Sequence, residues 1–513
     1  MSPSESRVST PARTRSVEAE RRARWLLVAV AAGVFIAADD QTAIVTLLPP
    51  IVDEIGLTVD DFYRASWVVN AYLLGYLVAL PIVGRIADVY GHARVFAACL
   101  GIFMLGSALV ALAPSFTPLV LARGLQAVGG GGVVPVAMAI VVAQLPPERR
   151  LLGLGAIAAA AEGGALIGPL WGGGIAEFWG WRMVFWLNLP MALPVAWAVW
   201  RFTRPQDADA PVSATARGPR GRIDWWGAAI LGAALALLTF ALVDDPNAPR
   251  PLAVTALMLA AVAVLAVVFV LHERRTPEPM APLQALRERH VVASNLASFL
   301  VGVGLIVALI AVPLFVNLVL VEGALDGGLT LMRLTVAVPV GALAGGWLGS
   351  RLGLRGTAAL GMLLAAAGFA GLQAWDRDLA QAMRSAPQLV GGFGFGLVIA
   401  PLAAAVLQRV EPEYRAAASA WLTLSRVSGM LVGAALLTST GLGRFYARAG
   451  SVSFGSPEFD ALVAEAQVDT FREVFVAAVL LMLLAAVVAW AIGRGVSERG
   501  AVVAESDAWW TVV

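Results

Sequence analysis

GRIADVYGHAR, residues 84–94, and GWLGSRLGLR, residues 346–355, decide the architecture of this chain. Gly84, Asp88 and Gly91 in the first stretch stand at the same offsets as Gly346, Ser350 and Gly353 in the second, and Arg94 and Arg355 lie just beyond. Each stretch follows the second hydrophobic run of a block of six. A matching short loop at the same place in two such blocks predicts parallel repeats related by an axis along the membrane normal. Glycines let two helix ends approach around a tight turn. An acid there can meet the positive N-terminal end of a neighbouring helix, and arginines can meet carboxylates or lipid headgroups.

The hydrophobic runs themselves follow from composition. Of 513 residues, 59% are apolar and only 14% are charged. A soluble domain has roughly 45–50% apolar and about 25% charged residues, so disorder, a coiled coil and a nucleic-acid binder are excluded. A helix needs about 20 mostly apolar residues to cross the hydrocarbon layer. Fourteen stretches qualify: 25–50, 66–87, 93–113, 117–144, 150–175, 182–201, 224–244, 251–271, 290–320, 329–350, 357–374, 386–408, 416–440 and 471–493. None alternates as a barrel strand would. The fold class is therefore all-α, a polytopic membrane protein.

All 36 basic residues are arginine, and their placement sets the orientation. Residues 1–24 carry Arg7, Arg13, Arg15, Arg21, Arg22 and Arg24, whereas the first outer loop carries Asp53, Glu54, Asp60 and Asp61. By the positive-inside bias the N-terminus is cytoplasmic, and an even number of spans puts the C-terminus there too. The expected organisation is a flexible tail at 1–24, a six-helix bundle at 25–201, and linkers with two plain lipid-facing spans at 202–289, whose outer turn is marked by Asp244 and Asp245. A second bundle follows at 290–493, with an outer extension at 441–470, and a cytoplasmic tail at 494–513. The location is the cell (plasma) membrane.

Charges at membrane depth are costly and face a cavity or another charge. Asp39 and Asp40 lie mid-span in the first run and point about 100° apart. Glu162 lies in the fifth and Arg426 in the thirteenth. Arg123 and Gln126 share a face of the fourth by their spacing, and Asn70 lies early in the second. An acid in apolar surroundings can take and release a proton near neutrality. Asp40 and Glu162 are the leading candidates for proton coupling, with Arg426 as a switchable partner and Asp39 as the alternative to Asp40. A static interhelix salt bridge is the competing reading of the same residues. In the fifth span Gly164, Gly168, Pro169, Gly172 and Gly173 point to a pliable, close-packed helix at the moving interface.

Other chemistry finds no footing. There is no GxxxxGK[ST] loop and no lysine to complete one, so no nucleotide is expected, and no nucleic acid. Cys99 is the single cysteine, and His92, His272 and His290 are scattered, so neither a metal site nor a catalytic constellation is expected. No cofactor is needed beyond a proton gradient, and the chain is read as a transporter, not an enzyme.

GRIADVYGHAR, GALIGPLWGG, LARGLQAVGGG and the Asp40-Gln41-Thr42 start together resemble the major facilitator superfamily, in particular its 14-span drug:proton antiporter branch. That resemblance implies the major facilitator fold, two six-helix bundles plus two extra central helices. It implies that Gly84, Asp88, Gly91 and Arg94 form a gating loop, that Arg123 and Gln126 are the fourth-span motif, and that Gly164, Gly168, Pro169, Gly172 and Gly173 are the antiporter helix motif. Val89 and His92 replace arginines usual in the loop, which predicts a weaker electrostatic latch. In the repeat, Ser350 replaces the acid.

GAIAAAAEGGALIGPLWG and YRAAASAWLTLSRVSGMLVGAALLTSTGLGRFY, with Asp40, resemble more narrowly the mycobacterial multidrug-resistance-type triacylglyceride exporters that work with a lipoprotein. This implies hydrophobic or amphipathic substrates such as lipids, contact with membrane lipids, a periplasmic or surface lipoprotein partner, a monomer, and protruding outer ends of the last two helices. The expected function is proton-coupled secondary export by alternating access. A broad cationic drug or dye antiporter is the close rival. A non-transporting scaffold or sensor is the alternative from another class, and a channel is disfavoured because no span repeats a polar face.

Overall fold

A computed structural model describes residues 10–55, 62–203, 223–242, 250–277, 279, 287–320, 324–375, 381–437, 444 and 459–493. The turn at Asp244 and Asp245, linker residues 204–222, most of the outer extension and the tail at 494–513 lie outside the described residues. The described residues form fifteen α-helices and one short 3₁₀ turn, Pro412–Tyr414. Among the described residues, fourteen spans are long and apolar enough to cross a membrane.

The first bundle contains α1 (Thr10–Ile55), α2 (Phe62–Tyr90), α3 (His92–Leu112), α4 (Phe116–Gln144), α5 (Pro147–Trp179) and α6 (Trp181–Phe202). Helix α1 begins at Thr10, so 10–24, expected to be a tail, continues the first span as helix. It packs along α5 and α6, while α4 packs against α2 and α3. Helices α7 (Trp225–Leu242) and α8 (Leu252–Glu273) pair with each other, and α7 leans on α2. Only 6% of the α8 span is buried, which leaves that helix facing lipid.

The second bundle contains α9 (Arg289–Leu318), α10 (Ala324–Leu352), α11 (Leu354–Leu372), α12 (Gln381–Leu397), α13 (Ile399–Leu407), α14 (Arg415–Leu436) and α15 (Phe459–Trp490). The span expected at 386–408 is a single span, Arg384–Leu407, interrupted at Val398 between α12 and α13. Pro401 has no N–H for the carbonyl of Leu397, and that oxygen lies against Gly345 instead, where a Cβ would come within 2.4 Å. Helix α9 runs along α14 and α15, as α1 runs along α5 and α6.

The repeated loop is built twice in the same way. Gly91 precedes α3 with φ 96° and Gly353 precedes α11 with φ 78°, a left-handed conformation that favours glycine. The preceding helices then cross the opposite bundle closely, α2 against α14 and α10 against α5. A Cβ on Gly84 would stand 2.9 Å from the Ala416 carbonyl, and one on Gly346 would stand 2.7 Å from that of Leu151. Both crossings lie near the loops, on the side the arginine bias assigns to the cytoplasm. The bundles are closed against each other there.

The glycine stripe of α5 has a different neighbour from the one expected. Cβ atoms on Gly164, Gly168 and Gly172 would meet α1 at 2.4 Å from Phe35 O, 2.2 Å from Thr42 Oγ1 and 2.9 Å from Ala43 Cβ. The stripe therefore seats α5 on α1 inside one bundle. The inter-bundle crossing uses Gly155, where a Cβ would stand 2.8 Å from Ala342 O. Gly173 has only ordinary contacts, with nothing nearer than 3.7 Å. Pro169 lacks the N–H that would bond Ala165, and its own carbonyl accepts a hydrogen bond from Thr46 Oγ1 at 3.1 Å.

Candidate functional site: two ion pairs and a latch

Glu162 and Arg426 meet across the two bundles. Arg426 Nη1 donates to Glu162 Oε1 at 2.7 Å, and the two side chains keep 21% and 18% of their surface exposed. They occupy equivalent places in the repeats, because each sits on the fifth helix of its bundle just before a close crossing. Gly164 of α5 lies against Phe35 O of α1, and Gly429 of α14 lies against Phe299 O of α9. A Cβ on Gly302 would stand 2.0 Å from Arg426 O, so α9 fixes the backbone that carries the guanidinium. Ser425 beside it donates to Asn295 Oδ1 of α9 at 2.9 Å.

Asp40 takes Arg123 as its partner. Arg123 Nη1 donates to Asp40 Oδ2 at 2.8 Å and also to Gln126 Oε1 at 2.8 Å. Gln126 Nε2 and Asn188 Nδ2 both donate to Asp40 Oδ1, at 3.0 and 2.7 Å. Asn188 also donates to Ser107 Oγ at 2.9 Å, and Ser107 donates to the Phe185 carbonyl at 2.8 Å. The cluster joins α1, α3, α4 and α6, and every member is buried. The Arg123 guanidinium lies 4.4 Å from the Tyr72 ring centroid and 5.6 Å from that of Phe185, positions suited to cation–π attraction. Asp39, next in sequence, is also buried, and its Oδ1 has no hydrogen-bond partner.

Asp88 of the repeated loop reaches the other bundle. The backbone N–H groups of Ala416 and Ala417 donate to its two carboxylate oxygens at 2.9 and 2.8 Å. These are unpaired donors at the start of α14, where the helix dipole also favours an anion. His92 Nε2 lies 3.0 Å from Asp88 Oδ1. Arg85 braces the same contact, with its guanidinium over the Tyr414 ring at 4.8 Å and Nη1 donating to the Glu413 carbonyl at 3.4 Å. Arg94 is exposed on the first turn of α3. Ser350, the counterpart of Asp88, instead donates to Trp347 O of its own helix at 2.7 Å.

At the outer end of the second bundle a cavity of about 290 Å³ lies between α9, α14 and α15, with Val303, Val307, Leu436 and Leu481 in its walls. Arg444 pairs with Glu473 at its rim. Sequence reading missed Asn188, Ser107 and Tyr72. Asn188, an amide in the middle of WLNLP, was open to the same argument as the buried acids.

This arrangement of twin six-helix bundles, a central inter-bundle ion pair and a loop-to-helix latch is that of a secondary transporter. The model described as "Major Facilitator Superfamily" matches residues 30–434, and the chain belongs to that superfamily. A "Triacylglyceride transporter" of Mycobacteroides abscessus is 33% identical to it over 455 residues, 85% of each chain. One of Mycolicibacterium smegmatis is 32% identical over 492 residues, covering 91% of this chain and 86% of that protein. Among solved structures, the human organic anion transporter MFSD10 aligns with a TM-score of 0.58 at 19% identity, covering 90% of this chain and 99% of its own. The proton:xylose symporter XylE aligns with a TM-score of 0.61 at 15% identity, covering 92% and 96%. The protein is a multi-pass transporter of the cell membrane and not an enzyme.

Proposed function

We propose that this transporter exports triacylglyceride-like lipids, driven by proton entry. The observation that carries the reading is the Glu162–Arg426 bridge between bundles, in a chain that matches triacylglyceride transporters over most of its length. Alternating access requires the bundles to rock about the centre, and a central bridge must then form and break. With Arg426 in place the Glu162 carboxyl is paired. When the bundles part, the acid loses its partner and takes a proton, which favours the separated state by differential affinity. Asp88 and its loop act as the gate on the inner side, with Gly84 allowing the approach. The α1–α5 glycine seam lets α5 slide while staying packed. The apolar cavity beneath Arg444 and Glu473 suits an acyl chain on its way outward, and a lipoprotein partner would meet the outer extension at 441–470.

The test is movement of a fluorescent triacylglyceride analogue in proteoliposomes under an imposed pH gradient, beside a cationic dye. Gradient-dependent movement of the lipid is expected. Movement of the dye alone would make the protein a drug antiporter and overturn the lipid reading. Deleting 444–467 is expected to reduce lipid movement without loss of folded protein, and unchanged movement would remove the outer extension from the pathway.

A further inference from the structure

We propose that Asp39 is a proton-binding carboxyl in its own right and carries its proton in the conformation described here, whereas Asp40 is the structural partner of Arg123. The use made of the proton rests on the coupled-export reading above; the protonation itself does not.

The two neighbours on α1 have opposite surroundings. Asp40 accepts from three side chains, one of them a guanidinium, so its charge is balanced and both its oxygens are satisfied. Asp39 is 3% exposed and its Oδ1 has no partner. Among the described residues, no helix packed on α1 brings a charge to Asp39. On α4, Arg123 is committed to Asp40 and Gln126. On α5, Glu162 is committed to Arg426, and Glu148, Arg149, Arg150 and Glu177 lie toward the ends of the helix. On α6, Arg182 and Arg201 lie at the ends. On α2, Tyr72 donates to the Ala37 carbonyl and not to Asp39, Tyr76 does not donate to it, and Arg85 and Asp88 are engaged at the inner end.

The seam itself explains why no partner comes. Opposite Asp39, α5 presents Gly164 and Gly168, where a Cβ would stand 3.0 Å from Asp39 N and 2.4 Å from Asp39 O. A residue with a donating side chain does not fit there. The nearby Thr42 hydroxyl is turned to main-chain carbonyls, those of Ala38 and Asp39. An unpaired carboxylate at membrane depth, one residue from a second carboxylate, is strongly disfavoured. Binding a proton removes that charge. The proton enters from outer water and is lost when rocking of the bundles brings the carboxyl to inner water, at which point the carboxylate forms and no other bond changes.

Infrared spectra of the purified protein at neutral pH test this directly, because a protonated carboxyl has a C=O stretch distinct from a carboxylate and sensitive to deuterium exchange. A protonated-carboxyl band is expected in the wild type, lost in Asp39→Asn and retained in Glu162→Gln. A band that survives in Asp39→Asn, or a wild type without one, overturns the proposal. In proteoliposomes where the wild type moves lipid down a pH gradient, Asp39→Asn is expected to lose that drive, and a variant still driven by the gradient overturns the coupling role. A wild type that moves no lipid at all would fail the export reading and leave the infrared result to be judged by itself.

Discussion

Asp40–Arg123 and Glu162–Arg426 are chemically the same pair placed in two settings. The first joins four helices of one bundle, has no exposed surface, and is completed by Gln126, Asn188 and Ser107. The second joins opposite bundles and keeps about a fifth of each side chain exposed. A fully enclosed pair is costly to break, because either partner left alone is a buried charge. A bridge that borders a water-accessible space can separate and be solvated. The difference divides the polar residues of the membrane into those that hold a bundle together and those that let two bundles move.

The largest effect expected from breaking this comparison is on stability. Asp40→Ala strands Arg123, Gln126 and Asn188, and should cost about 3–5 kcal/mol, seen as a marked fall in the melting temperature of detergent-purified protein. Glu162→Gln should cost less than Asp40→Ala, because its partner keeps about a fifth of its side chain exposed, while abolishing gradient-driven lipid movement. Equal destabilisation by the two variants would erase the distinction. Asp88→Asn removes a charge from the α14 N-terminus and should weaken the inner closure by about 1 kcal/mol. Pulsed-dipolar distances between spin labels at the exposed Tyr90 and Glu413 should then gain a longer population. Ser350→Ala, the equivalent site in the other repeat, removes only a bond within its own helix. It should change stability by less than about 0.5 kcal/mol and leave the same distances alone.

Much of this was legible in the sequence, for identifiable reasons. Lipid leaves the backbone no partner but itself, so span positions follow from hydropathy, and the loops at 84–94 and 346–355 announced the repeat. Their glycines share one backbone conformation because the turn demands it. Pairing was less legible. Whether Asp40 meets Arg123 or Arg426 depends on helix rotation and on which helices cross, and neither is encoded locally. The stripe Gly164, Gly168 and Gly172 announced a close neighbour without naming α1. The break at Val398 hides inside a uniformly apolar run, betrayed only by Pro401. Helix α1 starts at Thr10 within a segment whose Ser, Arg and Pro content suggested a tail.

The most direct test of the division is a distance measurement at constant neutral pH, with spin labels at Phe178 of α5 and Leu436 of α14, both exposed at outer helix ends. Glu162→Gln, which removes the charge that holds the bridge, is predicted to redistribute the inter-bundle distances, whereas Asp40→Asn in protein that remains folded leaves them unchanged. A distribution indifferent to Glu162→Gln, or shifted as much by Asp40→Asn, would contradict the account.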